Sequence, residues 1–420
     1  MAMSRTIIAV LHLLLVCSIV SPLTVEAQSI GLEMFNNIMP ASGGMAGASI
    51  SNPQDVTSAI YGNPATLTQR QGTQFSFGGA WIEPTYNVSV AAPGLPLLGV
   101  TPFTNAKSDA QGVAGGNIGV TQDFSAMGMP VTVGMGLFAG AGVGIDFRHV
   151  PESNGTHATI VALDIVNSIG VDLTDRLTIG AGLTLSSATL DGPFVGVTSS
   201  TSDYALRGTL GANYTVTPEM MLGVYWRTKA HYTFENLIRF GPPGSAFLDV
   251  SVDRPETLGF GASNSALMNG RLLLAADVLF QQYGDADFLK AIYTDQWSIQ
   301  VGAQYAPNRR LKLRLGYAWT ENLMRDLVPN SAGGVTPPIT PGAHIQYIQA
   351  QFAAISQHRV TGGIGIRDIL PGVDFDLFAG GMFGATETFG VTTSSLEGYW
   401  LGAATTWRFG RGAVESGDWR

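Results

Sequence analysis

Residues 296–320 read QWSIQVGAQYAPNRRLKLRLGYAWT. Trp297, Ile299, Val301, Ala303 and Tyr305 share one parity; Ser298, Gln300, Gly302 and Gln304 share the other. Past Pro307-Asn308-Arg309 the alternation resumes, with Leu311, Leu313, Leu315, Tyr317 and Trp319 set against Lys312, Arg314, Gly316 and Ala318. A period of two belongs to a strand, whose successive side chains leave on opposite sides. The apolar face of this hairpin carries aromatics at both ends, as a strand crossing a bilayer needs at its two interfaces. A half-buried hairpin of a soluble sandwich alternates in the same way, so the rest of the chain must decide.

Composition favours the membrane. Only 13% of the 420 residues are charged, about half the ~25% usual for a soluble domain. Beyond the N-terminus no run reaches the ~18 consecutive apolar residues of a spanning helix. A chain this apolar without a helical span fits a wall of strands, with lipid on one parity and water on the other. The formal charge of −9 leaves no basic patch for nucleic acid.

Residues 1–27 read as a secretory signal peptide. Arg5 supplies the positive start, Ile7 to Val20 is almost wholly apolar, and Val25-Glu26-Ala27 offers a cleavage site before Gln28. Cys17, the single cysteine, lies inside it. The exported chain then has neither disulfides nor thiol chemistry. No cofactor and no metal are expected.

Residues 28–72 do not alternate. Gly43-Gly44 and the pairs Asn52-Pro53 and Asn63-Pro64 point to short helical turns, with Ser51 or Asn52 capping a helix that starts at Pro53. So long an irregular stretch beside a barrel can fold inside the lumen, where its backbone groups find partners; a loose extension is the alternative. Here the run Ala59 to Leu67, with Asn63-Pro64-Ala65 at its centre, resembles the N-terminal hatch of the FadL/TodX-type outer-membrane transporters. The small-residue stretch Gly43 to Ala48 and the strand start from Phe75 stand where that family has them. The resemblance implies a barrel of about fourteen strands with a hatch in its lumen, and a cargo of long-chain fatty acids or other hydrophobic molecules.

Fourteen alternating segments follow: 73–90, 112–123, 130–147, 158–173, 177–190, 203–216, 220–238, 246–266, 271–283, 295–306, 311–321, 357–367, 373–383 and 397–409. Turns at 125–129, 174–176, 217–219, 268–270, 307–310 and 368–372 are short. Connections at 91–111, 148–157, 191–202, 284–294, 322–356 and 384–396 are mostly longer. Short inner turns, long outer loops and an even strand count are the signature of an outer-membrane barrel. Residues 73–409 are therefore assigned to the barrel and 410–420 to a tail beyond the last aromatic, Phe409. In the third segment Gly134, Gly136, Gly140, Gly142 and Gly144 share the inward parity with Phe138. Glycines weaken a ladder, and the family resemblance implies an inward kink there that opens a side window to the bilayer.

An apolar cargo needs an apolar pocket, and an acidic head needs a cation within it. Met34, Phe35, Met39 and Phe138 are the pocket candidates. Arg207, Arg227, Lys229 and Arg359 are the head-group candidates, although such cations also pair with inward Asp164, Asp277, Asp374 and Asp376. The reading is a passive, monomeric outer-membrane channel, not an enzyme, with hydrophobic small molecules, the lipid bilayer, lipopolysaccharide and the barrel assembly machinery as partners. The alternatives are a lipid hydrolase and an open polar porin. For the first, His149, His157, His231, His344 and His358 show no recognisable serine–histidine or metal-ligand spacing.

Overall fold

The computed structural model describes residues 35–192, 200–238, 246–326 and 342–410. The expected signal peptide, Met34, and residues 411–420 of the tail lie outside these, as does the Phe35 side chain.

Fourteen antiparallel strands close into a barrel. They are β1 (Thr73–Val90), β3 (Val113–Asp123), β4 (Val131–Asp146), β5 (His157–Asp172), β6 (Leu177–Asp191), β7 (Ser200–Thr217), β8 (Met220–Arg227), β11 (Glu256–Leu267), β12 (Leu272–Gln282), β13 (Gln296–Tyr305), β14 (Leu311–Thr320), β15 (His358–Leu370), β16 (Val373–Phe389) and β17 (Thr392–Phe409). Strand β17 closes the ring on β1, from Thr73 opposite Phe409 to Val90 opposite Thr392. Strand β2 (Phe103–Lys107) adds to the outer end of β1, and β9 (Ala230–Ile238) pairs with β10 (Leu248–Arg254) in a separate hairpin.

The polarity of this wall is inverted relative to a soluble protein. Leu206 is 65% exposed and Leu315 64%, whereas Gln300, Lys312 and Arg314 are buried. A sandwich would bury the leucines. Here the exposed parity is aliphatic with Trp81, Tyr204, Trp297 and Tyr399 among its aromatics, so the solvent that suits the outside is hydrocarbon. No helix among the described residues is long and apolar enough to cross a membrane; the strands do the crossing.

Two expected strands and one expected loop are corrected. Residues 220–238 and 246–266 do not run straight along the wall: β8 stops at Arg227, and β9 and β10 leave as a hairpin before β11 resumes. Pro255, at the return, has no N–H to continue a ladder. Arg207 fills the break, its Nε donating to the Thr228 carbonyl at 2.6 Å and its Nη2 to that of Pro255 at 2.5 Å. Residues 384–396 are not a loop, because β16 and β17 continue until Phe389 faces Thr392. Threonines carry this extension, with the Thr388 and Thr393 hydroxyls 2.9 Å apart. A strand beyond the bilayer needs no apolar alternation, so periodicity missed it.

The outer half of the bore is filled by an apolar cluster. Tyr86, Phe147, Tyr232, Phe234, Phe288, Tyr293, Phe352 and Trp400 belong to it. Helix α2 (Gly342–Gln351) caps it, anchored where Tyr86 donates to the Ala350 carbonyl and where the Tyr347 and Thr156 hydroxyls meet at 2.7 Å.

Candidate functional site

From residue 37 to 67 nearly every side chain is buried. A 3₁₀ turn at Ser42–Met45, helix α1 (Val56–Tyr61) and a 3₁₀ turn at Pro64–Gln69 give the segment its local order. Asp55 caps α1 by accepting from the Ser58 N–H, one turn later than the Ser51 or Asn52 cap expected. Its other oxygen accepts from the N–H groups of Ala41 and Ser42, so one carboxylate ties two turns together.

The segment's bonds reach strands all round the ring. Ala46 N–H donates to Thr361 Oγ1 of β15 at 2.8 Å. Ser49 and Ile50 N–H donate to Asp277 of β12 at 2.6 and 2.9 Å. Asp277 thus binds backbone rather than the arginine or lysine expected. Asn63 accepts from Ala65 N–H at 3.1 Å and donates to the carbonyls of Ile50 and of Ala212 in β7, at 2.9 and 3.2 Å. Wall glycines permit this closeness. A Cβ on Gly180 would lie 2.3 Å from Ala65 N, one on Gly170 2.8 Å from the Pro64 oxygen, and one on Gly211 2.0 Å from Asn63 Oδ1.

Met39 and Phe138 do come together, in a buried cluster with Val56, Ile60, Tyr61, Leu67 and Val166. That cluster joins the segment to the wall of β4 and β5. All four cation candidates hold protein groups. Arg207 braces the hairpin break as described. Arg227 donates to the Tyr61 carbonyl and stacks over the Tyr61 ring at 4.8 Å. Lys229 pairs with Asp285, holding that carboxyl below the usual range. Arg359 donates to the Thr320 hydroxyl at 2.6 Å and has no carboxylate partner among the described residues. Of the expected aspartate pairings, Asp374 and Asp376 bind Arg367, Arg408 and Arg314.

The third expected feature is altered in register. β4 bulges at Gly140: Ala139 faces Leu163 and Ala141 faces Ala162. The bulge inverts parity, so Val143 and Ile145 turn inward and are buried, while Gly142 and Gly144 do not share the inward parity of Gly134 and Gly136. On its other side β4 pairs with β3 only from Asp123–Thr132 to Asn117–Phe138. The next backbone bond across this seam, among the described residues, is Asp109 N–H to the Asp146 carbonyl. Between these points the wall has no ladder. Val113, Ala141, Val143, Ile145 and Ile38, around this gap, belong to or pack on the apolar cluster of the outer bore.

Sequence reading missed Arg254. It lies 2.8 Å from Asp164 with both side chains almost fully buried, and donates to the Tyr61 hydroxyl at 3.1 Å and the Gly140 carbonyl at 3.2 Å. It missed as well the group His231, Asp253 and Asp287, whose ligand atoms lie within 4.8 Å of one another. Asp253 there accepts from His231 Nδ1 at 2.5 Å and from Asp287 N–H at 3.1 Å, and Asp287 accepts from Lys290 at 2.6 Å. The group's acceptors are engaged in bracing the hairpin against residues 285–290.

No family model matches the chain, and no curated protein sequence matches it. Solved structures do. The P. putida toluene transporter TodX is similar with a TM-score of 0.64 at 17% identity, over 90% of this chain and 99% of that one. The Ralstonia pickettii toluene transporter TbuX is similar at 0.63 and 16% identity, over 92% and 100%. A Pseudomonas aeruginosa FadL homologue is similar at 0.65 and 14% identity, over 91% and 100%. By its fold, the chain is a barrel of the FadL/TodX type.

Proposed function

We propose that this protein is a passive outer-membrane channel for hydrophobic molecules. One observation carries the proposal: the apolar cluster of the outer bore runs without interruption to the unladdered seam between β3 and β4. An apolar molecule moving along this path exchanges one apolar contact for another. It never has to desolvate the charged inner end of the bore, where Asp374 and Asp376 bind three arginines. Capture occurs at the outer loops around Leu97 and Phe103, and release occurs sideways through the seam.

Residues 28–72 act as the hatch. Asn63, Pro64 and Ala65 are its hinge against β5–β7, and Met39 and Phe138 line the pocket beside it. Arg359 is the head-group contact, because its bond is to the Thr320 hydroxyl, whereas Arg207 and Arg227 hold backbone carbonyls and Lys229 holds a carboxylate. The toluene transporters of like fold make aromatic hydrocarbons one cargo class, and fatty acids are the other. The channel works as a monomer in an asymmetric bilayer faced with lipopolysaccharide.

The hinge is tested by Asn63→Ala, which removes the bonds to Ala65, Ile50 and Ala212. Folded barrel in the membrane with altered uptake of a hydrophobic tracer is the expected result; unchanged uptake contradicts the hinge.

A further inference from the structure

A cavity of about 290 Å³ lies at the short-turn end of the bore, under the leading segment. Its lining could not be less like the outer cluster. Arg70, Arg309, Lys312, Arg367 and Arg408 face Asp55, Asp374 and Asp376 across it, with five glutamines filling much of the rest. The lining is thus net positive by two in a chain whose formal charge is −9.

The three carboxylates are already engaged. Asp55 accepts from the N–H groups of Ala41, Ser42 and Ser58 and from the Thr57 hydroxyl. Asp376 accepts from Arg314 at 2.6 Å and Arg367 at 3.0 Å. Asp374 accepts from Asp368 N–H and from Arg408. Donors remain over: Arg70 reaches only the Pro53 carbonyl and its Nε has no partner, and behind the lining Arg314 Nη2 has none. A surplus of guanidinium charge around a polar cavity calls for an acceptor, and a guanidinium cluster takes oxyanions best, through paired N–H bonds. At about 30 Å³ of liquid volume per water, the space holds a tetrahedral oxyanion and several waters.

We propose that this cavity is a binding site for a small oxyanion of phosphate chemistry, which bridges Arg70 of the leading segment to Arg367 and Arg408 of the wall. The bound anion fastens the inner end of the leading segment to β15 and β17. The site is independent of what the outer bore carries.

The test uses the full exported chain in detergent, with binding of inorganic phosphate followed by calorimetry at constant ionic strength. Glycerol phosphate is the second probe, separating a free anion from a lipid head group. Saturable phosphate binding, about tenfold weaker in Arg70→Gln and also weakened in the rim variant Arg309→Gln, supports the site. Binding of both probes assigns it to phosphate monoesters generally, and binding of inorganic phosphate alone assigns it to the free ion. Heat-modifiable migration on a gel confirms that each variant is folded. An absence of saturable binding by either probe, or equal binding in folded Arg70→Gln, overturns the proposal.

Discussion

Arg254 and Asp164 form an ion pair at 2.8 Å inside the barrel, and the same guanidinium donates to the carbonyl of Gly140, the residue that the β4–β5 ladder skips. The Tyr61 hydroxyl of the leading segment lies 3.0 Å from Asp164 and 3.3 Å from that carbonyl, its one proton shared between them. One buried group therefore links the β9–β10 hairpin, the leading segment and the bulge beside the open seam. Asp164→Asn leaves a buried guanidinium with a neutral partner. Removing one member of such a pair costs about 3–5 kcal/mol. Urea unfolding in lipid vesicles should show a loss of that size, and a loss below about 1 kcal/mol would mean that the pair is not structurally important.

The glycine-lined inner wall gives a second expectation. In Gly180→Ala the new Cβ would lie 2.3 Å from Ala65 N, a clash with backbone that no rotamer relieves. The leading segment should shift and become open to protease while the barrel still resists heat in detergent. Gly208→Ala is the control, since its Cβ would make ordinary contact with Thr228 at 3.7 Å. Equal protease resistance in the two variants would contradict close packing of the segment on β6.

The seam can be pinned. A Cβ on Gly115 would lie 3.5 Å from Ala139 Cβ, within the span of a disulfide, and the only native cysteine is Cys17 in the expected signal peptide. Gly115→Cys with Ala139→Cys should cross-link on oxidation and slow uptake of hydrophobic tracer, with recovery on adding reductant. Full uptake in the cross-linked protein would rule out release between β3 and β4.

The wall was legible because strand alternation is local: each residue's parity declares its face, and the low charged fraction of the whole chain, not 296–320 alone, set the apolar face against lipid. The irregular course of residues 37–69, with its short turns, was legible as a failure of alternation. What stayed hidden depends on contacts far apart in sequence. The Gly140 bulge inverts the parity of everything after it, so Gly142 and Gly144 were placed on the wrong face. Pro255 was the one local sign that 246–266 would break, and it was read through. Arg254 was passed over because its partners, Tyr61 and Asp164, lie 193 and 90 residues away. Inward glycines recurring on strand after strand were the available clue that a backbone packs against the wall.

The most direct test of the account is comparative uptake. Cells expressing the protein and cells lacking it are given a labelled long-chain fatty acid, a labelled monoaromatic hydrocarbon and a labelled polar sugar of similar mass. The account predicts faster entry of at least one hydrophobic tracer and no change for the sugar. Faster entry of the sugar, or no effect on either hydrophobic tracer, would contradict it.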